Sequence, residues 1–296
     1  MKRTLFAGLL LMSSFAVTMA QVKLSFNPEK GKKYEFHIET IENSKESAMR
    51  QEQSKESETV IKFLMEIKEK TPLETRVLFT YREIVYIFSY SKIKMEYDSK
   101  SPIENPSEID KLLEKLLGKL LDKSFIAVIA PDGSVTAIEM DAINEIMAQS
   151  VTVDDPMSEP MSVAIKQEFS ESSIKRMIEQ SLKFYPANAV KVRESWTMED
   201  TYVSNLNLTT KTQYTLNKIK KNIASITVVA LVDVTHHRME GKLTGTKTGT
   251  MLVDTKTGMP VSSNLLQNVA GAFKVRNAEV STEIITNKKT SIKEVR

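Results

Sequence analysis

The chain has 296 residues, with 41 lysines and arginines against 38 aspartates and glutamates, 41% hydrophobic residues and no cysteine. That composition belongs to a globular protein with its own core and excludes a disordered, collagen-like or disulfide-stapled chain. A chain this long buries roughly 70 to 75% of its unfolded surface, so neither metal nor disulfide is needed for stability, and a formal charge of +3 lacks the clustered basic excess that nucleic acid demands.

Residues 1–20 read as a secretory signal peptide. Lys2 and Arg3 form its charged start, residues 5–12 and 15–17 its apolar run, and Thr18-Met19-Ala20 a small-x-small cleavage site, so that Gln21 begins the mature chain. Ser13 and Ser14 interrupt the run, which falls short of the roughly 20 residues of a spanning helix. No later stretch is apolar enough to cross a bilayer, and without cysteine the lipoprotein acylation of a cleavage-site thiol is impossible. The expectation is an exported protein of the periplasm or outer surface of a Gram-negative bacterium, with no transmembrane segment after cleavage. The mature chain, residues 21–296, reads as a single β-rich domain with a helical insert at 105–183.

Residues 32–97 have strand character. Tyr34, Phe36 and Ile38 alternate with polar neighbours, and residues 60–67 and 76–81 are rich in β-branched and aromatic side chains. Between them, residues 42–59 are almost wholly polar, and the expectation is a long hairpin with its tip in solvent, or a mobile loop. The insert opens with an amphipathic helix: Asn105 as N-cap, Pro106 in the first turn, Glu108 in the capping-box place, and Ile109, Leu112, Leu113, Leu116, Leu117, Leu120 and Leu121 on one face. Asp110, Lys111 and Glu114 take the other face. Pro131-Asp132-Gly133 closes a β-hairpin between residues 125–129 and 135–138. Three short helices follow, carrying Ile143 and Met147, then Met161 and Ile165, then Ile174 and Leu182, with Asp154-Asp155-Pro156 as punctuation.

From residue 190 strands return, about six of them. Residues 226–232 are apolar at every position except Thr227 and are expected to form a central strand covered on both faces. In 242–253, Thr244, Thr246, Thr248 and Thr250 share one face, while Leu243, Gly245, Lys247, Gly249, Met251 and Val253 share the other. Glycine inside a strand marks curvature or the close approach of a backbone or ligand. The expected fold is α+β: a large curved antiparallel sheet of about 9–11 strands, shared by both ends of the chain, with the helical middle covering one face.

The sequence holds no catalytic set. Ser172 and Lys175 with Lys247-Thr248-Gly249 echo the boxes of penicillin-recognising enzymes, but the Ser-x-Asn box is missing. The histidines are His37, His236 and His237, and the adjacent pair points to opposite sides of a strand, so no metal site is expected. No catalytic residue and no cofactor is expected, and the protein reads as non-enzymatic.

Lys30-Gly31-Lys32-Lys33-Tyr34 and the stretch from Tyr185-Pro186 to Ser195-Trp196 resemble an uncharacterised family of exported bacterial proteins, a domain of unknown function with a Lys-Gly-Lys-Lys-Tyr strand start and a Gly-Asp-Ser-Trp segment. Here Arg193 and Glu194 stand where that family has Gly-Asp. The layout is also similar, in fold, to LolA/LolB-like carriers, and that resemblance implies an apolar cavity for lipid. The functional expectation is binding of a lipid, a lipoprotein acyl chain or another apolar ligand between sheet and helices, with Leu116, Leu120, Gly245, Gly249 and Trp196 as ligand-binding candidates. The alternative is a structural or partner-binding envelope protein without a ligand cavity.

Overall fold

The structure, a computed structural model, describes residues 21–48, 51–91, 93–149, 158–203, 206–236, 239–275 and 278–295. The expected signal peptide, His237 and Asp154-Asp155-Pro156 lie outside them.

Twelve strands form one antiparallel sheet that is not closed into a barrel. The N-terminal half supplies β2 (Lys33–Ala48), β3 (Gln51–Lys70), β4 (Thr75–Tyr90), β5 (Ile93–Asp98), β6 (Ser124–Ile129) and β7 (Val135–Glu139). The C-terminal half supplies β9 (Ser195–Tyr202), β10 (Leu206–Lys220), β11 (Ile223–His236), β12 (Met239–Asp254), β13 (Pro260–Val275) and β14 (Ala278–Val295). Their order is β7-β6-β4-β3-β2-β14-β13-β12-β11-β10-β9, with β5 paired to the far end of β4. The halves join where β14 pairs with β2, from Ser281 opposite Ser47 to Val295 opposite Lys33. A separate two-stranded ladder joins β1 (Gln21–Val22) to β8 (Val190–Lys191).

The α+β expectation is corrected. Of the described residues 62% are strand and 17% helical, a mostly β fold. The helices are α1 (Glu108–Leu117, continued by one 3-10 turn), α2 (Asp141–Ala148), α3 (Ser158–Glu168) and α4 (Glu171–Leu182). Of these, α3 and α4 line one cavity rather than covering a whole face of the sheet. α1 packs on β5, α2 on β6 and α4 on β7, at the short-strand end of the sheet. The strands outgrew the hydrophobic pattern because ladder hydrogen bonds are made by the backbone and do not need apolar side chains. The polar stretch 42–59 is therefore sheet: β2 and β3 stay in register out to Ala48 opposite Gln51, with Lys55 and Glu42 paired across the strands at 3.2 Å.

One face of the sheet is buried and the other wet. On β11, Ile226, Val228, Ala230 and Val232 are at most 1% exposed, while Val229 is 45% and Leu231 64% exposed. The expectation of cover on both faces of this strand is thus overturned, because nothing packs on its outer side. In β4 the inward parity changes, from Val77, Phe79 and Tyr81 to Ile84 and Tyr86, because a bulge at Arg82 puts one extra residue against β3. Around it lies the aromatic centre of the core: Phe79 stacks on Phe125 with centroids 5.1 Å apart, and Phe63 sits 4.7 Å from Tyr81.

The N-cap of α1 is Ser107, two residues beyond the expected Asn105. Its hydroxyl accepts from the Asp110 N–H, and the Asp110 carboxylate accepts from the Ser107 N–H at 2.8 Å, closing the capping box. Asp110, expected on the wet face, is buried because its other oxygen also accepts the Glu96 N–H at 2.8 Å, tying the helix to β5. Ile109, Leu112, Leu113, Leu116, Leu117 and Leu120 are all buried, and Leu121 is partly so.

Both motifs that carried the family resemblance contain turns. Gly31 has φ +82° in the turn before β2, where the Lys32 N–H bonds Glu29 O. Arg193 has φ +73° in the turn before β9, where the Glu194 N–H bonds Lys191 O. A positive φ at the third turn position is the type II requirement for glycine, so Arg193 carries backbone strain that a glycine there would not.

Candidate functional site

A cavity of about 590 Å3 lies between α3, α4 and the inner face of the sheet. Two adjacent cross-strand rows form its floor. One runs Lys247, Gln267, Thr286, Glu42, Ser57 and Phe88, from β12 to β4; the other runs Leu265, Lys288, Thr40, Thr59 and Tyr86, from β13 to β4. Ile38 and Ile61 extend the floor toward the core. The roof is Met161, Glu168 and Phe169 from α3 and its end, with Ile174, Arg176, Met177 and Gln180 from α4. The bulge at Arg82 matters here: without its change of parity Tyr86 and Phe88 would point to the outer face.

Charge is unevenly distributed around this space. Lys183 pairs with Asp200, and Lys55 with Glu42. Glu179 accepts the Val135 N–H at 3.0 Å. Burial pushes the Glu168 carboxyl up, opposed by Lys55 and reinforced by Glu42, with Arg176 and the Tyr86 hydroxyl also opposing. Across the cavity, burial pushes the Lys288 ammonium down to about 7, reinforced by the nearby cations Lys247 and Arg176. Lys247 is also lowered by burial, with Asp200 acting against it. Lys288 donates to Gln180 Oε1 at 3.1 Å.

The five ligand-binding candidates lie elsewhere. Leu116 and Leu120 are fully buried in the main core, at 0% exposure. Trp196 is half-buried, its indole N–H donating to Phe184 O at 2.8 Å and its ring stacked 5.5 Å from Tyr214, which lines the cavity. Gly245 and Gly249 face inward on β12, but a Cβ there would sit 1.9 and 2.0 Å from Asn268 O and Asn264 O of β13. They permit a close approach of two backbones. None of the five is among the cavity-lining residues.

Sequence reasoning met Lys247 in a decoy motif and on the glycine-spaced face of 242–253 without giving it a binding role, and passed over Arg176 and Lys288. The available signal was a lysine on the inward parity of a strand: Lys247 between Gly245 and Gly249, and Lys288 in the series Ile284, Thr286, Lys288, Thr290 and Ile292. Among the described residues there is no group of three or more metal-ligating side chains, and no helix is long and apolar enough to cross a membrane.

Residues 74–260 match the profile of a family of unknown function, DUF6263. The chain belongs to that family. The DUF6263 stretch runs from β4 to the first residue of β13, so it includes Arg176 and Lys247 and leaves out β2, β3 and Lys288. No curated protein matches the sequence. Among solved structures the DUF6263 chain is similar to lipovitellin, solved for its lipid–protein interactions, with TM-score 0.45 and 10% identity over 90% of this chain and 26% of that one. It thus spans about a quarter of the lipovitellin chain. DynF of the dynemicin biosynthesis pathway of Micromonospora chersina gives 0.20 and 6% identity, over 92% of this chain and 85% of that one. OccK5 of Pseudomonas aeruginosa gives 0.25 and 7%, over 88% and 98%.

Proposed function

We propose that this is an exported, non-enzymatic binding protein that holds a lipid or acyl chain in the cavity between α3, α4 and the sheet. The observation that carries the reading is the cavity, whose 590 Å3 falls within the roughly 300 to 1,000 Å3 typical of ligand sites. Its lining is mostly polar and charged, with an apolar part formed by Ile38, Ile61, Phe88, Phe169, Ile174 and Leu265.

Native mass spectrometry of protein purified from its host tests this. We expect a bound mass in the range of a lipid or fatty acid that disappears on delipidation; a bare chain that also refuses added amphiphiles would sink the reading. Export is tested separately by N-terminal sequencing of the recovered protein, where Gln21 is expected first and a retained Met1 would count against processing. One observation favours the second reading, a partner-binding envelope protein: Val229, Leu231 and Leu266 stand 45%, 64% and 50% exposed on the outer face of the sheet.

A further inference from the structure

The basic groups of the cavity outnumber the carboxylates free to meet them. Glu42 is held by Lys55, Asp200 by Lys183, Glu179 by a backbone N–H, and Glu168 by the Tyr86 hydroxyl, with Lys55 and Arg176 also acting on it. Lys247 and Lys288 remain, on β12 and β14 with β13 between them, facing Arg176 of α4 across the space. Among the described residues none of these three makes an ion pair, and the side-chain hydrogen bond of Lys288 goes to the neutral Gln180.

Such an arrangement is costly when empty. Burial penalises the charged forms of both ammonium groups, and for Lys288 the neighbouring cations Lys247 and Arg176 add repulsion. The lowered ammonium groups of Lys288 and Lys247 register that cost. An anion in the same space would reverse both terms and accept charge-assisted hydrogen bonds from all three. Gln180, Gln267 and Thr286 add neutral polar contacts around it. The cavity does not end there: it continues to the apolar wall of Ile61, Tyr86, Phe88, Phe169 and Ile174.

We propose that Lys247, Lys288 and Arg176 form a head-group site for the carboxylate or phosphate of a single-chain anionic amphiphile, whose tail lies along that apolar wall. This rests on the binding function proposed above and adds the charge of the ligand and its orientation. The site recognises what a carboxylate and a phosphate share, a compact anion with several acceptor oxygens.

The test is calorimetric titration of the delipidated mature chain with hexadecanoate, hexadecyl phosphate, hexadecanol and inorganic phosphate. The anionic amphiphiles are expected to bind about tenfold or more tighter than hexadecanol, the factor that one charge-assisted hydrogen bond supplies. Lys288→Met and Lys247→Met should each erase most of that preference, and Lys288→Arg, which keeps the charge and confirms that the position tolerates change, should retain it. Equal binding of hexadecanoate and hexadecanol would overturn the head-group site while leaving the cavity reading intact. Inorganic phosphate binding as tightly as hexadecyl phosphate would overturn the amphiphile and point to a free anion. Failure of all three amphiphiles would defeat the cavity reading itself.

Discussion

The surroundings of α1 and those of α3 and α4 differ in a way their sequences do not announce. α1 is the most strongly amphipathic of the described helices, yet its leucines are sealed into solid core. α3 and α4 carry fewer apolar residues, and it is their half-buried and polar members, Met177, Arg176 and Gln180 among them, that face open space. A strongly amphipathic stripe drives close packing, because every ångström of gap forfeits dispersion contacts and buried area. A stripe interrupted by polar groups cannot collapse fully without stranding them, and so it tolerates a cavity.

Truncation separates the two regions. Leu116→Ala and Leu120→Ala should each lose about 2 to 5 kcal/mol of stability, unchanged by delipidation, as expected for a buried leucine whose site cannot collapse. Met177→Ala, already bordering open space, should cost on the order of 1 kcal/mol and alter ligand occupancy instead. Thermal unfolding of the three variants with and without lipid is the check; equal losses at all three positions would erase the distinction.

Titration sharpens the basic side. The Lys288 pKa, about 7 against an ordinary 10.5, lies below its unfolded value, so between those limits the unfolded chain binds more protons. Stability of the delipidated protein should therefore rise as pH increases from about 7 toward 10.5. The groups facing Lys288 are Lys247, Arg176 and Gln180; Glu42, in the neighbouring row, is paired to Lys55, and Asp200, which acts on Lys247, is paired to Lys183. Lys288→Met should flatten that rise and stabilise the empty protein at pH 7 by about 1 kcal/mol, since it removes a charge with no counter-ion. A destabilised Lys288→Met with an unchanged pH profile would mean that the lysine is a packing element.

The smallest effect concerns the connection from α4 to β9. Arg193→Gly should stabilise the protein by about 0.5 to 1 kcal/mol, the left-handed strain of a non-glycine residue less the extra chain entropy of glycine. A denaturant midpoint that does not move, or falls, would show that the Arg193 side chain contributes more than its backbone costs.

Several elements were legible from residues alone, because their signals are local. The stripe of α1 follows from 3.6-residue spacing, and the 124–139 hairpin from its Pro-Asp-Gly turn. The extent of the sheet was not legible. Residues 42–59 have no apolar pattern and left a long hairpin and a mobile loop both open; the hairpin is what forms, with β14 and β4 as partners on either side of it. The start of α1 was misplaced by two residues because Asn105 and Ser107 are both capable caps, and the choice rested on Asp110, whose carboxylate also bonds β5.

Sequence by itself determined the strand-rich composition, the greasy face of α1 and the glycine spacing of β12, since each depends on neighbours within a few residues. Tertiary structure alone decided what those features meet. Register across β12, β13 and β14 placed Lys247 and Lys288 on adjacent rows of one face although 40 positions separate them in the chain. The packing of α4 then set Arg176 opposite, and the bulge at Arg82 turned Tyr86 and Phe88 inward. The reason is physical: ladder register and helix docking are settled by the summed backbone hydrogen bonds and buried area of whole elements, and a basic cluster drawn from three of them leaves no trace in any single stretch of sequence.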